Sequence, residues 1–350
     1  MAMLKITTPF REKGEVIPLI EAGADELYCG YLPSDWKKRY TALEFERKGG
    51  GSNFTDLSEL RQAVDLAHTR KIPVYLTLNG LYVKDQYPLL LKIINQLNEI
   101  DLDAYIVADI GLLLTLRKQG CKKEIHISTG GTVFNSEAVL FYKDLGASRI
   151  ILDRQISLDA IRALSQENPD IDFEAFILNT LCVYIDGFCT FLHTSGREHL
   201  DDIYGRRWRK DEKVYMIASY DPQGGGDACC LKYSVRAYDG GLNKKVATAE
   251  IQPTIYKHLI DGCECGACAI YDIAKTNVKS IKIVGRQLSP EKRLRDTGFI
   301  RNVLDVLKDN GHISKKDFIS EVQRRYRQAY DYDKSCRGNN CYHPDVLGNV

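Results

Sequence analysis

The 350-residue sequence lacks the long apolar runs and leader features of membrane and secreted proteins. It contains no run of about 18 apolar residues, the length that an ordinary membrane-spanning helix needs. The N-terminal segment Met1–Pro9 carries neither the basic stretch, the apolar core nor the cleavage site of a signal peptide. The formal net charge is only +1, so no overall field favours DNA or an anionic membrane. We therefore expect a cytoplasmic protein with neither a membrane nor a DNA partner.

The short motifs of several common enzyme classes are also missing. No Gly-x-Gly-x-x-Gly turn follows the first predicted strand, which argues against an open dinucleotide-binding sheet. Neither Gly-x-Ser-x-Gly nor His-Glu-x-x-His occurs, so these two hydrolase signatures are excluded. Ser195, with His193 and His199 nearby, is the one local candidate for a hydrolytic nucleophile.

Short β-branched runs alternate with stretches of helical period along most of the chain. The runs are Leu4–Thr8, Glu26–Tyr31, Pro73–Asn79, Ala104–Asp109, Glu124–Thr129, Arg149–Asp153, Asp172–Leu178 and Ser280–Val284. Strands that alternate with helices in this way are typical of βαβ units and a parallel sheet. The pattern predicts an α/β fold, a (β/α)8 barrel of the TIM-barrel type.

The predicted barrel has one long insertion and a C-terminal extension. The barrel domain spans residues 1–288, and residues 185–275 form a cysteine-rich insertion after strand seven. A loop of this length inside a compact domain is usually functional. Residues 289–350 have helical periodicity and then a polar tail with Cys336 and Cys341, which predicts a helical extension.

Cysteine is abundant, and the count of 11 is odd. Cytoplasmic thiols stay reduced, so this number favours metal or redox chemistry over disulfides. Buried free thiols are the alternative, and they suit Cys29 and Cys121, which lie in or beside regular elements. The remaining cysteines before residue 269 lie in and around the insertion: Cys182, Cys189, Cys229, Cys230, Cys263, Cys265 and Cys268.

The first two of these cysteines directly follow strand seven. The C-terminal ends of the strands form the active face of such barrels, so Cys182 and Cys189 are expected on that face. Four thiolates are what an iron–sulfur cluster or a structural zinc ion requires. One of the adjacent Cys229 and Cys230 is expected to be a ligand, because neighbouring cysteines rarely bind one metal together.

The segment Glu174-Ala-Phe-Ile-Leu-Asn-Thr-Leu-Cys182, followed six residues later by Cys189, resembles the E-x-F-x-H-G-x-x-C-x6-C pattern of peptidase family U32. Residues 225–233 resemble the family's G-x-C-x-x-x-C-R-x-x-Y stretch in compressed form. Cys268 and the later Val278-Lys-Ser-Ile-Lys-Ile-Val-Gly-Arg286 resemble its D-L-C and G-V-x-S-L-K-I-E-G-R segments. The resemblance extends from residue 1 to about residue 310.

This resemblance implies a barrel with a 4Fe–4S cluster held by Cys182, Cys189, one of Cys229 and Cys230, and Cys268. Similar proteins carry out oxygen-independent hydroxylation of small molecules or RNA, and others carry a peptidase label. Three functions stay open: a cluster-dependent hydroxylase, a peptidase, and a cluster-bearing or electron-transfer protein that acts with a U32-type partner.

Four polar residues are candidates for substrate binding or catalysis. Arg154 and Arg286 are predicted at C-terminal strand ends, where their guanidinium groups could hold a carboxylate substrate. The alternative is that both form salt bridges on the rim. Asp109 and Glu174 are expected as polar neighbours at strand ends.

A second metal site is a further hypothesis. Cys263 and Cys265 are not used by the first cluster, and neither are Cys336 and Cys341 in the tail. These four thiols could hold zinc or another cluster. Incidental thiols in a mobile tail are the alternative.

Overall fold

The computed structural model describes residues 4–40, 51–179, 185–188, 264–309, 312–330 and 341–346, and the backbone of 233–238 and 245–251. The following predicted site residues lie outside these ranges: Cys182, Cys189, Cys229, Cys230, Cys263 and Cys336, together with His193, Ser195 and His199. Within the described part of the chain, no helix is long and apolar enough to cross a membrane.

Eight parallel strands close into a barrel in the described part of the chain, which confirms the predicted fold. Around the barrel their order is β1-β10-β7-β6-β5-β4-β3-β2. The strands are β1 Lys5–Pro9, β2 Glu26–Gly30, β3 Val74–Leu78, β4 Ala104–Val107, β5 Glu124–Ile127, β6 Arg149–Ile151, β7 Asp172–Leu178 and β10 Ser280–Ile283. Two antiparallel strands of the insertion, β8 Tyr233–Tyr238 and β9 Lys245–Ile251, pair with each other.

Helices cover the outside of the barrel. They are α1 Val16–Glu21, α2 Ser34–Lys37, α3 Leu57–Thr69, α4 Tyr87–Leu97, α5 Ile110–Lys118, α6 Ser136–Asp144, α7 Leu158–Glu167, α8 Ile270–Ile273, α9 Pro290–Asp309 and α10 Lys315–Tyr330. Several begin where a short polar side chain accepts a hydrogen bond from an amide of the first turn, as Asn135 does from Ala138 and Ser157 from Ala160. Their apolar faces pack on the outward side chains of the strands and form one continuous core.

Helix α9, which begins just after the domain boundary predicted at residue 288, packs on the barrel. The Arg293 Nε atom donates to Glu15 Oε2 at 2.6 Å, beside α1. The Thr297 hydroxyl lies 3.2 Å from the Thr8 hydroxyl of β1. These contacts put α9 in the position of the eighth barrel helix, and α10 packs on it outside the barrel. Helical periodicity alone cannot reveal this, because it identifies an apolar face and not the surface that covers it.

The lower half of the barrel interior is charged, whereas branched aliphatic layers are usual there. Arg149 donates to both carboxylate oxygens of Glu26, at 2.7 and 3.0 Å, and to Glu174 at 3.1 Å. Lys282 Nζ lies 2.7 Å from the other oxygen of Glu174. Glu174 is therefore an interior residue in the middle of β7, and its predicted position at a strand end is wrong.

Candidate active site at the barrel mouth

Arg154 follows β6 and lies at the C-terminal end of the barrel, as predicted. Its guanidinium group forms an ion pair with Asp186 and stacks 4.3 Å from the centre of the Phe176 ring. Asp186 also accepts a hydrogen bond of 2.6 Å from the Thr129 hydroxyl, and its amide donates to Asp153 at 3.2 Å. The segment 185–188 is therefore fixed on the ends of β5 and β6. This described segment lies between Cys182 and Cys189 in sequence, and both cysteines are outside the described residues.

Arg286 follows β10 and also reaches the barrel mouth, as predicted. Its Nη1 atom donates to Asn53 Oδ1 at 2.8 Å and to Thr77 Oγ1 at 2.9 Å. Thr77 belongs to β3, so the Arg286 side chain crosses the mouth from β10. The preceding Gly285 has φ +121°, and a Cβ atom there would lie 2.2 Å from Leu288. Only glycine therefore allows the sharp turn that directs Arg286 inwards.

The positive charges of both arginines influence one buried phenol, that of Tyr28. Burial raises the pKa of Tyr28, whereas the positive charges of Arg286 and Arg154 oppose this rise. The Tyr28 hydroxyl donates to the Ile283 carbonyl at 3.1 Å, and Lys282 Nζ lies 3.8 Å from the centre of its ring. With Arg154 on Phe176 and Arg286 on Thr77, both guanidinium groups lie at the same end of the barrel. A site of this charge can hold an anionic group such as a carboxylate or a phosphate.

Asp109 lies directly after β4, at the strand end where it was predicted. Its Oδ1 atom accepts from the Leu112 amide at 2.7 Å and from the Tyr87 hydroxyl at 2.9 Å. Its Oδ2 atom accepts from the Tyr82 amide at 3.0 Å. The carboxylate thus caps α5 and fastens the loop between β3 and α4 to it, and its catalytic role stays a prediction.

Replacing Asp109 with alanine should destabilise the protein by about 2–3 kcal/mol, because one helix cap and two further hydrogen bonds are lost. Asp56, which caps α3 through the Glu59 amide at 2.9 Å, offers a matched control. Its replacement by alanine should cost about 1 kcal/mol. Urea unfolding of the two variants measures the difference. Equal losses would show that the contacts to Tyr82 and Tyr87 contribute nothing.

Cys268 is the one predicted ligand of the first cluster that the structure describes. It is buried in the 3-10 turn Ala267–Ala269, just after a segment that pairs with the end of β7. In that pairing the Gly266 amide donates to the Ile177 carbonyl at 2.7 Å. A thiol here has the donor chemistry that iron and zinc accept, and it lies at the predicted end of the barrel. Among the residues that can be described, no three His, Cys, Asp or Glu side chains are close enough to hold a metal ion.

Two of the four cysteines of the hypothetical second site come together. The main chains of Cys265 and Cys341 form an isolated parallel bridge, which joins the tail to the end of the insertion. The Ala267 amide lies 3.4 Å from Cys265 Sγ. The other two members, Cys263 and Cys336, are outside the described residues, so metal binding at this place stays a prediction.

Comparison with known proteins identifies the family. A sequence model described as peptidase family U32 matches residues 12–335 of this chain. The chain belongs to peptidase family U32. The assignment agrees with the closed eight-stranded barrel. The matched residues include the seven candidate cysteines from Cys182 to Cys268 and both mouth arginines, but not Cys336 and Cys341 of the tail.

Several U32 relatives have been named for different activities. An uncharacterized protease of Methanocaldococcus jannaschii is 24% identical over 361 residues, which cover 100% of this chain and 78% of that protein. The 23S rRNA 5-hydroxycytidine C2501 synthase of Escherichia coli (strain K12) is 26% identical over 344 residues, 95% of this chain and 46% of that protein. The tRNA hydroxylation protein P of Helicobacter pylori (strain J99) is 28% identical over 190 residues, 54% of this chain and 42% of that protein. The chain thus spans less than half the length of the two RNA-hydroxylation proteins.

Sequence reasoning missed most residues that surround the two arginines in this U32 chain. They are Asn53, Thr77, Asp186 and Tyr342. Of these residues, Asp186 could most readily have been found from the sequence. It lies between two candidate ligands, and a buried carboxylate needs a cationic partner. The others are neutral residues in unrelated segments, and no spacing in the sequence connects them.

Proposed function

We propose that this U32 protein catalyses or supports the oxygen-independent hydroxylation of an anionic substrate, an RNA nucleotide or a small molecule, at the mouth of the barrel. The placement of Arg154 and Arg286 at the same end of the barrel is the observation that carries the proposal. The names of the relatives support hydroxylation, since two of them are said to hydroxylate tRNA or rRNA.

The two arginines have different environments and, in the proposal, different tasks. Arg286 is held by the neutral oxygens of Asn53 and Thr77, which orient its guanidinium group across the mouth. Arg154 is held by the carboxylate of Asp186, and a substrate phosphate or carboxylate would share this guanidinium group. Both side chains are almost fully buried, and an ion pair is stronger where water is excluded.

The proposal includes an iron–sulfur cluster on Cys182, Cys189, one of Cys229 and Cys230, and Cys268. When bound, such a cluster would supply electron transfer close to the substrate. Support comes from two attachments: the turn of Cys268 is joined to β7, and the segment 185–188 is fixed on β5 and β6. A second cluster or zinc ion on Cys263, Cys265, Cys336 and Cys341 is a separate part of the proposal.

Anaerobically purified protein should contain about four irons per chain, or more with a second cluster, and should be brown. Replacing Cys268 with serine should remove most of the iron and the visible absorption, because a hydroxyl is a poor ligand for the cluster. Cys121, which is half-buried at the end of α5, is the matched control, and its serine variant should keep both. Full iron content in the Cys268→Ser protein, or zinc alone in the wild type, would contradict the cluster.

Three experiments separate the remaining functions. Comparing RNA modifications and metabolites in an anaerobically grown deletion strain identifies the substrate class, and a lost hydroxylated nucleotide would identify RNA. The protease name of one relative keeps a hydrolase under consideration. Peptide cleavage that survives iron chelation would favour it over the hydroxylase. A purified protein that holds iron yet hydroxylates only with a second U32 protein would be a cluster-bearing partner.

A further inference from the structure

The tail re-enters the barrel mouth after the end of the family match. Residues 341–346 lie beyond residue 335, where the U32 match stops. Tyr342 is only 6% exposed, and its ring joins the apolar cluster that lines the upper barrel with Tyr28, Phe176 and Val284. Val346, further along the same segment, is buried in the main core. The residues that reach the barrel mouth here therefore lie beyond the family match.

Tyr342 is attached to three walls of the mouth. Its amide donates to the Cys265 carbonyl at 3.1 Å, and its hydroxyl donates to the Asn179 carbonyl at the end of β7. The guanidinium group of Arg154 bonds to the same hydroxyl. Gly266 allows the close approach, since a Cβ atom there would lie 3.0 Å from Tyr342 Cβ.

The phenol of Tyr342 lies against the Arg154 guanidinium group, beside the Phe176 ring on which that group stacks. With the tail in position, the Arg154 side chain is 10% exposed and Arg286 is 5% exposed. An anionic substrate cannot form a bidentate contact with a guanidinium group that is covered to this extent.

We propose that residues 341–346, here named the strap, close the barrel mouth over Arg154, and that a ligand reaches this arginine only when Tyr342 is displaced. The assignment of Arg154 to the substrate rests on the proposed function, whereas the closure of the mouth does not.

The attachments of the strap are suited to reversible opening. Among the described residues they include an isolated main-chain bridge, hydrogen bonds of the Tyr342 amide and hydroxyl, and the burial of Tyr342, His343 and Val346. The strands of the barrel, in contrast, are each paired on both sides. Local opening reactions favour elements with few such contacts, so the strap should open far more often than the barrel.

Phenylglyoxal, which modifies accessible guanidinium groups, measures the closure directly in the full-length protein. The rate at each arginine is followed by peptide mapping, with exposed Arg162 as the internal standard and interior Arg149 as the reporter of unfolding. In Tyr342→Ala protein the rate at Arg154 should rise about tenfold, because the closing contacts are lost. Tyr342→Phe keeps the ring and loses the hydroxyl, so a smaller rise of about threefold is expected.

Tyr326→Ala is the control, since this tyrosine lies on α10, outside the barrel, and its ring centre is 5.7 Å from that of Phe299. In this control variant, the rate of phenylglyoxal modification at Arg154 should equal that of the wild type. An Arg154 rate within twofold of the wild type in both Tyr342 variants would overturn the proposal that the strap closes the mouth. If Arg149 also becomes reactive in the Tyr342→Ala protein, that variant has unfolded. The Arg154 rate in the Tyr342→Phe protein then decides whether the strap closes the mouth. Neither readout uses iron or hydroxylation, so failure of the strap and failure of the proposed function remain distinguishable.

Discussion

Replacing Arg149 with methionine should lower the free energy of unfolding by about 3–5 kcal/mol, the usual effect of removing one partner from a buried charge network. Arg149 donates to Glu26 and Glu174 inside the barrel, and both carboxylates are fully buried. Methionine fills much of the same volume, so the loss reflects two carboxylates left without their common cation.

Urea unfolding at neutral pH measures this loss. Arg162, which pairs with Asp159 at 2.7 Å on the surface, is the matched control. Its methionine variant should lose less than about 1 kcal/mol, because exposed ion pairs contribute little. A loss at Arg149 as small as that at Arg162 would show that the interior network does not stabilise the barrel.

The same network makes stability depend on pH on the acid side. Burial alone would raise the pKa of Glu174, but Lys282 and Arg149 more than offset it and lower the pKa to about 2. Arg149 likewise lowers the pKa of Glu26 against the effect of burial. A carboxyl group whose pKa is lower in the folded state stabilises the protein above its unfolded pKa. The contribution should therefore be complete above about pH 4.5 and be lost as the pH falls towards 2, and Arg149→Met should weaken this dependence.

Replacing Asn179 with alanine should destabilise the protein by about 3 kcal/mol, the sum of a strained backbone and lost hydrogen bonds. Asn179 follows β7 with φ +65°, in the left-handed region that asparagine and glycine tolerate. Its side-chain amide donates to the Val284 carbonyl at 3.0 Å and to Asp296 Oδ2 at 2.7 Å, and its Oδ1 atom accepts from Lys292 at 3.0 Å. One residue thus joins the ends of β7 and β10 to helix α9.

The glycine variant separates the two causes. Asn179→Gly loses the same hydrogen bonds without the backbone strain, so it should be about 1 kcal/mol more stable than Asn179→Ala. Thermal or urea unfolding of both proteins gives the comparison. Equal stability would mean that the backbone conformation contributes nothing.

Local sequence was sufficient to predict most of the barrel. Runs such as Ala104–Asp109 and Asp172–Leu178 are short and apolar, and the stretches between them have the period of one buried helix face. Strand ends were predicted less well, and the first of these two runs extends past the observed end at Val107. Parallel strands that alternate with helices close in few ways, so the fold and the strand-end positions of Arg154, Arg286 and Asp109 follow from the chain order.

Tertiary structure alone decided the remaining features. An alternating pattern cannot show whether Glu174 lies at a strand end or inside a barrel, because that depends on cations supplied by β6 and β10. Helical periodicity in α9 does not reveal that β1 and α1 cover it. Tyr342 reaches the mouth through partners far away in sequence, Arg154, Asn179 and Cys265. Contacts of this kind depend on the closure of the whole barrel, and no local period or motif in the chain encodes which distant surfaces will meet.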